Sequence, residues 1–241
     1  MSDLPLPRRP GGRMSSRPLH FIWLVDGSGS MRMHGKIEAL NRAINEAIPH
    51  MQRVAQENPQ AAVFVNAITF ADGARWMEEK LTPVSEFQWQ NMEAGGATAL
   101  GEALTMVGDV LQPPLITDRA LPPVLALVTD GLPTDDFQSG LNHLLSKPWG
   151  RQAVRVVVGI GEDSTSDDAR KFFKSFTSND APEPFLANGP DALIEAVRWV
   201  STTVLKSVVS PLSQVATGTD GKQAEISFGV EMEVADEAVL W

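Results

Sequence analysis

The sequence contains no cysteine, which excludes disulfide staples, thiolate metal sites and a cysteine nucleophile together. It has no long apolar run either. Stretches such as 124–128 and 154–160 fall far short of the ~20 residues that a membrane-spanning helix needs. The segment 1–17 carries arginines and prolines but no apolar stretch of signal-peptide length. These absences lead to the expectation of an unsecreted, cytoplasmic protein with no membrane association. Positive charge is scarce: 20 Lys+Arg stand against 30 Asp+Glu, a net charge of −10. General nucleic-acid binding needs concentrated lysine and arginine to neutralise phosphates, so it is not expected. The one basic cluster, Arg8, Arg9, Arg13 and Arg17, lies in a Pro/Gly-rich end and reads as a solvated tail.

What is present suits one α/β domain with tails, since 241 residues with 43% apolar content are enough for a single core. The expected layout is a basic tail at 1–18, a domain at 19–209 and an acidic tail at 210–241. Segment 19–25 reads as an apolar strand ending in a Gly/Ser turn. Ile37, Leu40, Ile44, Ile48, Met51 and Val54 recur at three- and four-residue steps, one face of an amphipathic helix. Pro49 falls inside that pattern and predicts a kink or break. Segment 61–70 reads as a buried strand, which the Asp72-Gly73 turn folds back into a short edge strand at 74–77. Segment 78–96 lacks periodicity and reads as a long surface loop. Further strands are expected at 124–128, 154–160 and 185–187. Helices are expected at 99–111, within 135–145, at 167–176 and at 191–208, the last opened by Pro190. Within the acidic tail, 224–230 reads as one short strand. Alternation of helices with continuously apolar strands predicts a doubly wound α/β fold. Its six-stranded sheet is mostly parallel, with helices on both faces and one short antiparallel edge strand.

Three separated segments place oxygen-bearing side chains where strands end. Asp26, Ser28 and Ser30 follow the first strand as Asp-Gly-Ser-Gly-Ser; Thr98 follows Gly95-Gly96-Ala97; Asp130 closes Thr129-Asp130-Gly131. In doubly wound sheets, ligands bind at the carboxyl ends of strands, where the strand order reverses. Two carboxylates and three hydroxyls, with no imidazole or thiolate, suit Mg²⁺, Mn²⁺ or Ca²⁺ and disfavour zinc. Two carboxylates roughly balance a divalent charge and leave a coordination position for an outside carboxylate.

This set resembles the metal-ion-dependent adhesion site of von Willebrand factor A (VWA) domains, whose pattern is Asp-x-Ser-x-Ser, then Thr, then Asp. The resemblance spans roughly 19–208. Segments 21–31 and 95–104 are most similar to bacterial tellurium-resistance TerY-like proteins. It implies that Ser28, Ser30 and Thr98 coordinate the ion through their hydroxyls, and that Asp26 and Asp130 act directly or through water. It also implies an Asp or Glu from a partner protein as the last ligand. A protein kinase and a PP2C-type phosphatase are the first partners to expect, in a stress-response or signalling setting.

Other readings are weaker. Asp-Gly-Ser-Gly-Ser alone suits an ordinary turn, and Asp135 and Asp136 suit helix capping better than metal ligation. His34 reads as a solvated loop histidine, and Trp76, Phe87 and Trp89 as packing residues rather than a docking surface. A phosphohydrolase of haloacid dehalogenase type would need an aspartate at position 28, where serine stands, and a late acidic pair, for which only Asp167 and Asp168 are candidates. His20, His34, His50 and His143 show no arrangement that nominates a base for a serine nucleophile. The expectation is a non-enzyme. A structural interaction domain that leaves the metal site unused has the same sequence pattern.

Overall fold

A computed structural model describes residues 16–179 and 181–210. Most of the expected basic tail and nearly all of the acidic one, with its strand at 224–230, lie outside these residues. The chain opens with β1 (Arg17–Asp26), so Arg17, expected in the tail, is the first strand residue. A 3-10 turn (Gly29–Gly35) leads into α1 (Lys36–Glu57). There follow β2 (Ala61–Phe70), β3 (Ala74–Trp76), β4 (Thr82–Pro83), α2 (Leu100–Val110) and β5 (Val124–Thr129). The last part comprises α3 (Phe137–Ser146), α4 (Pro148–Gln152), β6 (Val154–Ile160), α5 (Asp167–Phe176), β7 (Phe185–Ala187), α6 (Pro190–Trp199) and α7 (Leu205–Val209).

The sheet runs β3-β2-β1-β5-β6-β7, and β4 also pairs with β2. The four pairings of β1, β2, β5, β6 and β7 are parallel, while β3 and β4 meet β2 antiparallel. The expected six strands are therefore present, and the two-residue β4 adds a seventh that was too short to leave a pattern. The chain moves outward from β1 to β2 on one side and returns to β5 on the other. The crevice between the ends of β1 and β5 is thus the point where strand order reverses, and a strand carboxyl end there faces no crossover of its own.

Alternation along β1 divides the core. Leu19, Phe21, Trp23 and Val25 pack on one face with α1 and α6, through Leu40, Ile44, Leu193 and Val197. Ile22 and Leu24 face the other layer, with Leu104 and Val107 of α2, Leu144 of α3 and Phe173 of α5. Trp23 is fully buried in the middle strand, where truncation to alanine costs about 3–5 kcal/mol. Helices α2 and α3 cross at unusual closeness: a Cβ on Gly140 would lie 2.2 Å from the Gly101 carbonyl oxygen.

Three expectations need correction. Helix α1 runs unbroken through Pro49; the proline lies on the exposed face with Asn45, whose carbonyl loses its helical donor where water can replace it. Segment 78–96 is irregular but not a surface loop throughout, since Phe87, Trp89, Met92 and Ala94 are buried in the α1-side core. The last helix reaches Val209 only through a π-helical stretch, Val200–Val204. There Ser201 donates to the Val197 carbonyl at 2.5 Å and Thr202 to that of Arg198 at 2.8 Å, hydroxyls competing with the main-chain ladder. Among the described residues, no helix is long and apolar enough to cross a membrane.

Candidate metal centre

Asp26 is the last residue of β1 and is fully buried. Its Oδ1 accepts from the Ser28 amide at 2.8 Å and its Oδ2 from the Thr129 hydroxyl at 2.5 Å. The Ser28 and Ser30 hydroxyls lie 3.0 Å apart, and Ser30 donates to Asp130 Oδ1 at 2.7 Å. Ser28 is buried and Ser30 exposed, so this chain of oxygens runs from the strand end to the surface. The glycine-spaced turn thus does place both serine hydroxyls on one side.

Thr98 comes from a loop fixed by main-chain bonds on both sides. Gly95 donates to the Gly27 carbonyl (2.7 Å) and Gly29 to that of Gly96 (3.0 Å). Gly96 has φ 89°, and a Cβ there would lie 2.7 Å from the Asp72 carboxylate; that same carboxylate accepts from the Ala97 amide at 2.9 Å. Across the crevice, the Thr98 amide donates to the Thr134 hydroxyl (2.9 Å) and the Thr98 carbonyl accepts from the Thr134 amide (3.0 Å). All three predicted segments therefore meet at the β1/β5 switch point, with Asp26, Ser28, Ser30 and Asp130 joined directly and Thr98 held by the two loops.

Two predicted alternatives resolve as caps. Asp136 accepts from the Ser139 amide at the start of α3. Asp135 reaches across to α2, accepting from the Gly101 and Glu102 amides at 2.9 Å each. His34 is exposed, with φ 57°. Asp167 and Asp168 open α5, and Asp168 pairs with Lys171 at 3.3 Å on the surface.

Sequence reasoning missed three contributors. Lys36, the first residue of α1, places Nζ 2.8 Å from Asp130 Oδ2, and this pair is nearly inaccessible to solvent. A cation at the positive end of a helix dipole is unfavourable unless an anion sits beside it, and that anomaly was the signal available. Asn41, one turn further, accepts from the Trp89 indole and the Met92 amide at 3.0 Å each and donates to the Met92 carbonyl at 2.9 Å. It anchors the loop that carries Thr98. Arg32 lies over the same loop, donating to the Ala94 carbonyl.

The electrostatics fit a hard divalent cation. Burial raises the Asp26 pKa above the ordinary carboxylate value; hydrogen bonds from Thr129 and Ser28 oppose that, and the neighbouring Asp130 charge adds to it. Among the described residues Asp130 has a cationic partner and Asp26 has none. The converging donors are carboxylate and hydroxyl oxygens, the set that Mg²⁺, Mn²⁺ or Ca²⁺ takes. Asp26, Ser28, Ser30, Thr98 and Asp130 could hold such an ion.

A mostly parallel, doubly wound sheet with hydroxyls and carboxylates gathered at its switch point defines the α/β class of this chain. No protein-family model matches the sequence, and no curated protein is similar to it in sequence. Solved structures identify the fold more narrowly. A von Willebrand factor type A protein from Catenulispora acidiphila superposes with TM-score 0.56 at 21% identity, over 79% of this chain and 43% of that one. The ArnB paralog VWA2 from Sulfolobus acidocaldarius gives 0.51 at 20%, over 79% and 45%. The pilus adhesin SpaC from Lactobacillus rhamnosus GG gives 0.62 at 14%, over 80% and 31%. The chain has the VWA fold, and it spans less than half the length of each of these proteins.

Proposed function

We propose that this chain is a metal-dependent protein-docking module and not an enzyme. The observation that carries the reading is the oxygen chain Ser28–Ser30–Asp130 beside a buried Asp26 that lacks a cationic partner. Asp26, Ser28, Ser30, Thr98 and Asp130 would hold Mg²⁺, with Mn²⁺ or Ca²⁺ as alternatives, and the bound ion would supply a coordination position for a partner's Asp or Glu. Two large apolar side chains are exposed close by in sequence: Met33 (56%) three residues after Ser30, and Leu132 (44%) two after Asp130. Exposed apolar groups around a charged centre suit an acidic residue flanked by hydrophobic ones. The adhesin among the structural neighbours is consistent with a binding role. The resemblance of segments 21–31 and 95–104 to TerY-like proteins is the support for placing the module in a cytoplasmic stress-response or signalling complex with a kinase and a PP2C-type phosphatase.

The test is Mn²⁺ titration of the wild type and of Asp26→Ala, with a pull-down from the source organism's lysate in Mg²⁺ or EDTA. Saturable Mn²⁺ binding lost in the variant, and a partner retained only with metal, support the reading. A partner held equally with EDTA would instead favour a structural domain that leaves the site unused. Hydrolysis of a generic phosphoester, abolished by Asp26→Ala, would favour the phosphohydrolase.

A further inference from the structure

We propose that Lys36 is a built-in counter-charge that trades cation affinity for affinity toward an anionic partner. The inference rests on the metal-docking reading above and assigns a role within it to a residue outside the ligand set. Lys36 Nζ holds Asp130 Oδ2 at 2.8 Å with side-chain exposures of 6% and 0%, while Asp130 Oδ1 takes the Ser30 hydroxyl. Both oxygens of Asp130 are therefore engaged, and only Oδ1 is shared with the predicted ligand set.

Charge counting gives the consequence. Asp26, Asp130 and Lys36 sum to −1, so a divalent ion brings the centre to +1 and a partner carboxylate brings it to zero. Without the lysine the same centre would run from −2 to zero with the ion, and to −1 with the carboxylate. In a buried setting these charges are poorly screened. The lysine therefore repels the incoming ion and attracts the incoming carboxylate, which makes the two bind as a cooperative pair. The position is fixed by the fold, because Lys36 follows the left-handed pair His34 (φ 57°) and Gly35 (φ 73°) and opens α1. The dipole of that helix adds further positive potential at the same place.

The 241-residue chain and its Lys36→Met and Lys36→Arg variants are titrated with Mn²⁺, followed by electron paramagnetic resonance of the free ion. The Mn²⁺-loaded forms are then titrated with acetate, followed by water-proton relaxation. Lys36→Met is expected to bind Mn²⁺ more tightly by about tenfold or more, and acetate several-fold more weakly, with Lys36→Arg close to wild type in both. If Lys36→Met is too unstable to titrate, its Mn²⁺-induced rise in thermal midpoint is compared with the wild type's. A larger rise supports the inference, and an equal or smaller one overturns it. Unchanged or weaker Mn²⁺ binding by Lys36→Met, or undiminished acetate binding, overturns the role of Lys36 and leaves the metal reading standing. A wild type that does not bind Mn²⁺ overturns both.

Discussion

The two ends of β1 each bury an ionisable side chain without an ionic partner, and they do so in opposite ways. At the base, His20 is 6% exposed, stacks on Phe64 with ring centroids 5.9 Å apart, and leaves Nδ1 without a hydrogen bond. Burial alone pushes its pKa down to about 4, so it sits in the core as a neutral ring. At the top, both oxygens of Asp26 are hydrogen-bonded, and the surrounding loops are tied together by main-chain bonds. One end tolerates a polar group by discharging it; the other sets hydrogen bonds against the burial that disfavours its charge. The base also has a cavity of about 360 Å³, lined by Arg17, Asp118 and Trp149 among others. Yet Arg17 is spent on the carbonyls of Arg119 and Ala120 at 3.0 Å each. Cavity size therefore does not single out the candidate site at the other end, where convergence of donors does.

The strongest way to break this contrast is at Asp26. Asp26→Ala should weaken Mn²⁺ binding by about a hundredfold or more, roughly 3 kcal/mol, as read by the same titration. Removing a buried charge should not weaken the metal-free fold in Asp26→Asn, and a thermal melt without metal checks that.

The next effect is in pH, where the two ends have opposite signs. His20 is depressed from its ordinary 6.5 to about 4, so the unfolded chain binds its proton more tightly. Stability from this group is present above pH 6.5 and lost as pH falls toward 4, by up to about 3 kcal/mol. Asp26 is raised, so without metal its contribution is present below the ordinary carboxylate value and lost as pH rises through the raised one. Urea unfolding from pH 7 to 4 should show a shallower acid loss for His20→Leu than for wild type. In the same series Asp26→Asn should gain on wild type at pH 7 and converge with it in acid.

Smaller still, Asn41→Ala removes three hydrogen bonds from the Thr98 loop. It should cost about 2 kcal/mol of stability and several-fold in Mn²⁺ affinity. A normal affinity would show that the loop is held without its anchor. The smallest effect belongs to the base: Arg17→Met should cost about 1 kcal/mol or less, with unchanged Mn²⁺ binding. A change in metal affinity there would couple the two ends and undo the contrast.

Much of the top end was legible because its signals are local. Apolar runs marked β1, β5 and β6 within one or two residues, and the hydroxyl and carboxylate spacing around Asp26, Thr98 and Asp130 nominated the residues that the fold gathers. What escaped notice depends on distant segments. Lys36 finds its carboxylate 94 positions along the chain, and Asn41 reaches Met92, 51 positions away. Asp135 was read correctly as a cap, but it caps α2 and not the helix that follows it. The helix at Pro148–Gln152 is only one turn long, too short for periodicity to register.

The Asn41 anchor has an optical consequence. The chain has six tryptophans and no tyrosine, so its ultraviolet emission comes from indole alone. Trp89 shares its acceptor oxygen with the Met92 amide, so loosening the Thr98 loop and freeing that indole are one event. The protein thus carries a native fluorophore at the anchor of its candidate site, and a rearrangement of that anchor would register in its tryptophan emission.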